Sequence, residues 1–170
     1  MREIVLDTET TGLKPGDGHR IVEIGCIELF NGVATGKTFH VYINPERNVP
    51  DEVVAIHGLT NEFLKDKPRF SDIFNAFSAF IGDAPLVAHN APFDIGFLNA
   101  ELDRLNAPRI DKARAIDTKA IAGKLFPGEK VSLDSLCDKF NIDRTNRTLH
   151  GALLDARLLA DVYARLKPKP

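Results

Sequence analysis

The chain has 170 residues, a formal net charge of -2, 44% apolar residues and 27% charged ones. That length suits one domain with a sizeable core, and the composition excludes a disordered chain. The slight negative charge excludes long-range electrostatic wrapping of duplex nucleic acid, although cations at an acidic site would still admit a short nucleic-acid segment.

The N-terminus carries no signal-peptide pattern, and no apolar run is long enough to cross a bilayer, so a cytoplasmic protein with no membrane partner is expected. Ile4-Val5-Leu6 reads as a buried strand that runs straight into Asp7-Thr8-Glu9-Thr10-Thr11-Gly12. Side chains alternate along a strand, which puts Asp7 and Glu9 on the face of Val5, roughly 7 Å apart. Two carboxylates continuing a row of core positions repel each other and resist desolvation unless a cation lies between them. Arg20 to Phe30 is a second apolar strand, and Lys37 to Ile43 is a third, alternating Phe39, Val41 and Ile43 with polar neighbours. The hairpin signal Asn31-Gly32 predicts that these two pair antiparallel. Asn44 to Gly58 contains Pro45 and Pro50 and reads as a loop with a helical turn at Asp51 to Ala55. Thr60 is placed to cap a short helix through Leu64.

Ser71 to Ile81 is an amphipathic helix stopped by Gly82, and Pro85 to Ala88 is a fourth strand. Asn90 is expected to cap the next helix, with Pro92 in its first turn. Arg114 to Ile116 suggests a fifth strand, followed by a helix from Asp117 to Phe126 that Pro127-Gly128 breaks. Ser132 caps another, buried through Leu133, Leu136 and Phe140. Leu149 to Leu166 is the last and longest helix, leaving residues 167–170 as a tail on a single domain, 1–166. Cys26 and Cys137 read as reduced core residues rather than a disulfide. A three-strand meander followed by strands alternating with helices predicts an α/β class with a mixed five-stranded sheet.

Helical phase sorts the remaining acids. Leu98, Leu102 and Leu105 form one inward stripe, and Asp94 lies four residues before Leu98 on the same face. Leu159, Val162 and Leu166 form another, with Asp155 four residues before Leu159. Each acid has a plain structural alternative: Asp7 could cap a turn, and Asp94 and Asp155 could accept backbone N–H bonds. The helix dipole favours each helical acid by only about 0.3–1 kcal/mol. That is too little to offset joint burial, so the four together predict a divalent-metal site, with all-oxygen donors that suit Mg²⁺ or Mn²⁺ better than zinc. His150 lies five residues before Asp155, which is about 140° away on a continuous helix. In a loop ahead of the helix, loosened by Gly151, its imidazole is free to reach the site as a general base.

The segments DTETTG (Asp7–Gly12), HNAPFDIGFL (His89–Leu98) and HGALLD (His150–Asp155) resemble the three motifs of the DEDDh group of 3′–5′ exonucleases. The likeness runs from Ile4 to about Leu166 and is greatest to the proofreading epsilon subunits of bacterial DNA polymerase III. It implies a ribonuclease-H-like fold and two metal ions. Asp7, Glu9 and Asp155 would hold the first ion, Asp7 would bridge to a second supported by Asp94, and His150 would be the base. It further implies substrate contacts from Asp7, Thr8, Glu9, Glu52, His57 and Asp155, although Glu52 and His57 by themselves read as surface-loop residues. Asp117 needs no role beyond its helix cap. The implied activity is hydrolysis of single-stranded DNA 3′ ends to nucleoside 5′-monophosphates in replication proofreading. An exoribonuclease of the same group shares every catalytic residue and is the alternative. A catalytically dead binding module is disfavoured because all four acids and the histidine are present. The family subunits continue past the position of Pro170 with a polymerase-binding tail. The chain is then expected to be either an isolated catalytic core or a protein that works without that tether, and the implied partners are the polymerase III alpha subunit and a small accessory subunit.

Overall fold

Ile4, Val5 and Leu6 are fully buried because β1 (Arg2–Thr10) is the middle strand of a five-stranded sheet. The computed structural model describes residues 1–167. β2 (Ile21–Phe30) pairs antiparallel with β1, and β3 (Val33–Tyr42) pairs antiparallel with β2. Asn31 and Gly32 join them with φ of 51° and 83°, the two positive angles that a tight hairpin turn requires. On the other side of β1, β4 (Leu86–Ala88) is parallel to it and β5 (Ala115–Asp117) is parallel to β4. The sheet order is β3-β2-β1-β4-β5, the expected mixed arrangement.

Alternation along β1 divides the core in two. Ile4 and Leu6 pack with α3 (Phe70–Ile81) and α4 (Ala91–Arg104) through Phe77, Ile95 and Leu98. Val5 packs with α5 (Thr118–Leu125), α6 (Leu133–Lys139) and α7 (Ala152–Leu166) through Ala122, Leu136 and Leu159. The helices carrying Asp94 and Asp155 therefore lie against opposite faces of the sheet. A smaller cluster of Val22, Val49 and Leu64 seats α1 (Asp51–His57) and α2 (Asn61–Leu64). Arg20 binds Glu101 through two bonds of 2.6 and 2.8 Å, fastening the start of β2 to α4.

Local chemistry explains most boundaries. The hydroxyls of Thr60 and Ser132 and the carboxylate of Asp117 each accept a first-turn N–H, as expected of caps. Three elements differ from expectation. β3 starts at Val33 because residues Val33 and Ala34 resume pairing past an irregularity, and full exposure of this edge removes the alternation that marks a strand. α1 is a complete helix, closed by Gly58 at φ 73° with its N–H on Val54. α7 starts at Ala152 rather than Leu149, since Glu23 takes the Ala152 N–H at 3.0 Å while the N–H of His150 goes to Ile56 O at 3.0 Å. Asn90 precedes α4 in the left-handed conformation and does not cap it by side chain; its N–H instead donates to Asp117 at 2.9 Å. Residues 168–170 of the expected tail lie outside the described residues, and Lys167 bonds Glu3 at 2.8 Å. Both cysteines are free and buried. Among the described residues no helix is long and apolar enough to cross a membrane.

One glycine sets how closely α7 approaches the sheet. Gly25 lies opposite Asp7 in the β1–β2 pairing, and a Cβ there would sit 2.5 Å from the backbone of Ala152 and Leu153. Gly25→Ala should therefore push the helix start off the sheet. The expected loss is about 1–3 kcal/mol of stability, read as a lower urea midpoint. An unchanged midpoint would show that α7 is not seated on this strand.

Candidate active site

The C-terminal half of β1 delivers two carboxylates to the same side of the sheet. Asp7 Oδ2 is sealed from solvent with no hydrogen-bond partner among the described residues. Burial, then repulsion from Asp94, Glu9, Asp155 and Glu23, raises the Asp7 pKa well above the ordinary carboxylate range. Glu9 is pushed up to about 8, first by burial and then by Asp155 and Glu23. Asp94 rises to about 7 through burial, even though the bonds it accepts from Thr8 oppose the shift. Such electrostatic coupling joins one strand and two helices from opposite faces in a single acidic site.

Each helical acid arrives with a support. Asp94 Oδ1 accepts the Thr8 N–H at 3.1 Å and the Thr8 hydroxyl at 2.6 Å. Thr8 points to the opposite face from Asp7 and is buried, and its side chain holds Asp94. Asp155 is buried on the inward face of α7 and accepts both arms of Arg147, at 2.6 and 2.9 Å. His150 is exposed in the loop before α7, which is the loop placement that lets its ring approach the acids. Glu9, His150 and Asp155 each offer a ligand atom, and these atoms lie within 4.8 Å of one another.

Beside Glu9 a cavity of about 540 Å³ runs along α1, lined by Thr10, Leu13, Glu52, Ile56 and His57 among others. Glu52 and His57 thus reach the site from a helix, not from the surface loop their sequence suggests. Glu52 is exposed at the cavity, whereas His57 is buried. His57 Nε2 donates to Thr10 O at 3.2 Å and Nδ1 accepts the Leu59 N–H at 3.0 Å, a bonding pattern of neutral imidazole. Burial lowers its pKa accordingly. Its ring forms a wall of the cavity with both nitrogens committed to backbone. Asp117 caps α5 as expected, and its charge also contributes to the raised pKa of Asp94.

Two residues escaped sequence reasoning. Glu23 pairs with Glu9 in the sheet and is buried, with Oε1 on the Ala152 N–H and Oε2 2.6 Å from His40 Nε2. A charge inside the apolar run Ile21 to Ile27 was its available signal. Arg147 left no signal, because nothing periodic connects it to Asp155.

Orphaned oxygen, mutual repulsion and a hard oxygen donor set beside an imidazole all fit a divalent cation. The raised pKa values also fix a sign. The folded chain holds protons that the unfolded chain releases near about pH 4. The cluster's contribution to the cation-free fold is therefore full below that pH and lost as pH rises through about 7 and about 8. With a chelator present, the thermal midpoint should fall across that interval. Asp7→Asn should shrink the fall and stabilise the chain at the alkaline end by at least about 1 kcal/mol. A lower midpoint for Asp7→Asn there would reveal a stabilising partner for the carboxylate.

Residues 4–163 match the family described as Exonuclease (RNase_T). DNA polymerase III subunit epsilon of Rickettsia prowazekii (strain Madrid E) is 57% identical over 169 residues, covering 98% of this chain and 74% of that one. The subunit epsilon of Escherichia coli (strain K12) is 48% identical, covering 95% and 70%. Exonuclease X in complex with 5′ overhanging duplex DNA is similar in structure, with a TM-score of 0.75 at 28% identity over 96% of this chain and 89% of that one. The nuclease domain of 3′hExo, a DEDDh family member bound to rAMP, shares the fold with a TM-score of 0.82 at 19% identity over 97% and 90%. By sequence and fold together, the chain belongs to the RNase_T exonuclease family, beside the epsilon subunits of DNA polymerase III.

Proposed function

We propose that this site hydrolyses the terminal phosphodiester at the 3′ end of single-stranded DNA, releasing nucleoside 5′-monophosphates, in proofreading of newly replicated DNA. The observation that carries the reading is the approach of Glu9, His150 and Asp155 beside the unpartnered oxygen of Asp7. Asp7, Glu9 and Asp155 would hold one Mg²⁺ or Mn²⁺ ion, and Asp7 with Asp94 a second. Cations held there supply Lewis acidity and neutralise charge on the phosphate. His150 takes the proton from the attacking water, and its exposure lets that proton pass on to solvent. Thr8 and Arg147 keep the Asp94 and Asp155 carboxylates in place. The cavity along α1 receives the terminal nucleotide, with Glu52 beside it, the His57 ring as a wall and Leu13 and Ile56 as apolar surface for the base.

The relatives named as polymerase III subunits extend the proposal to a setting. One exonuclease domain, residues 1–166, works in the cytoplasm beside the polymerase III alpha subunit and a small accessory subunit.

Matched DNA and RNA oligonucleotides, labelled at the 5′ end and followed by gel, test the substrate and the polarity together. Shortening from the 3′ end should be faster on DNA; faster RNA turnover would make the chain an exoribonuclease. Asp7→Asn and Asp155→Asn should stay folded and release no mononucleotide above background. His150→Ala should slow release by roughly 10²–10⁴-fold at neutral pH. Full activity after thorough chelation would overturn the metal site.

A further inference from the structure

We propose that Arg147 is a positioning residue for Asp155 and for the loop that carries His150, with Asp134 as its anchor. The proposal rests on the metal-site reading above. Arg147 lies in a loop, yet its side chain is only 8% exposed. All three nitrogens of its guanidinium are engaged. Nε and Nη2 reach the two oxygens of Asp155 at 2.6 and 2.9 Å, and Nη1 reaches Asp134 Oδ1 at 2.6 Å. A planar fork on a carboxylate fixes its orientation as well as its charge, which a lysine ammonium does not do. Each carboxylate oxygen has two lone pairs, so the fork leaves capacity on both oxygens for a cation.

Asp134 explains why the guanidinium faces the site. It stands in the first turn of α6, two residues after the Ser132 cap, and that helix is packed into the same core as α7. The other oxygen of Asp134 lies 3.9 Å from Arg144, which in turn bonds Asp138 at 2.9 and 3.0 Å. Alternating charges thus run from Asp155 outward to the surface. The outer pair is solvent-exposed and weak, whereas the Arg147–Asp155 pair is enclosed.

The loop is also held at its other end. Three residues after Arg147, the His150 N–H bonds Ile56 O at 3.0 Å, and Leu149 lies against Gly58, where a Cβ would meet it at 2.7 Å. Fixing Arg147 therefore helps fix the segment between α6 and α7, also held to α1 through Ile56, from which the imidazole projects. The same guanidinium sets both a cation-binding carboxylate and the base.

The test keeps the positive charge at position 147, since a neutral side chain there would also change the attraction for the cation, and loosens the anchor separately at Asp134. Mn²⁺ affinity is measured by calorimetry on wild-type, R147K and D134N chains, with the manganese electron-spin resonance spectrum as a second signature. R147K should weaken Mn²⁺ binding about 10-fold or more, as loss of a partner behind a ligand does. D134N should weaken it less, in the same direction. At saturating Mn²⁺, R147K should lower kcat for oligonucleotide shortening with little change in KM. A purely structural arginine would change the thermal midpoint alone and leave the Mn²⁺ affinity of the folded chain intact. Wild-type chain that binds no Mn²⁺ would remove the metal-site reading itself. Wild-type binding with unchanged affinity in R147K would overturn this inference and leave that reading standing. If R147K does not fold by circular dichroism, the D134N affinity decides, and equality with wild-type overturns the proposal.

Discussion

A buried carboxylate oxygen with no donor, such as Asp7 Oδ2, persists only where its surroundings hold it in place. Repulsion between unit charges 4 Å apart is about 4 kcal/mol at an effective dielectric near 20. Whole domains are stable by only about 5–15 kcal/mol, so two or three ionised neighbours would consume much of that margin. The molecule meets the demand with rigidity. β1 is the central strand, its apolar residues are fully buried, and helices are packed against both its faces. What the scaffold does not supply is charge compensation for Asp7, and the raised pKa values of Asp7, Glu9 and Asp94 register that deficit.

Comparison with the other buried acids shows that the deficit is local. Glu101 has Arg20, Glu28 has Arg2 and Thr35, and Glu3 has Tyr163 and Lys167. Glu23 has the start of α7 and His40, Asp94 has Thr8, and Asp155 has Arg147. Burial of a carboxylate in this fold normally comes with a donor or a cation. Asp7 breaks the rule through its unpartnered oxygen, and it lies where acids from three elements converge. A single unpaired acid would be a local cost; one repelled by Asp94, Glu9 and Asp155 together favours a positive charge beside it.

Much of this was legible because it is local. Period-two alternation put Asp7 and Glu9 on one face, and helical phase put Asp94 and Asp155 inward, as the burial of both confirms. The motif likeness then tied these acids to a reaction, which no periodicity could have done. Features that depend on tertiary contact stayed hidden. Helical phase does not say which face of the sheet a helix covers, so the opposed seats of α4 and α7 were not visible. Leu149 fits a helical pattern, and only the capture of the Ala152 N–H by Glu23 shows that α7 starts later. Asn90 is a good capping residue and also a tolerant left-handed one, and the pairing with Asp117 selected the second role. Glu52 and His57 looked like loop residues because a seven-residue helix between prolines and a glycine carries too short a stripe to announce itself.

The histidines show how a fold reserves one imidazole out of five. His19 bonds the Thr11 hydroxyl, His40 bonds Glu23, His57 bonds Thr10 and Leu59, and His89 bonds Thr118 and Val131. Each ring ties two segments together. His150 is fixed the opposite way, through its backbone N–H on Ile56, with the side chain exposed near Glu9 and Asp155. Its position is inherited from α1 on one side and, through Arg147 and Asp134, from α6 on the other. Because α1 is also the wall of the adjoining cavity, a shift of that wall on filling would be felt at the histidine. In the proposed mechanism, the base would thus be placed by the same element that lines the proposed nucleotide site.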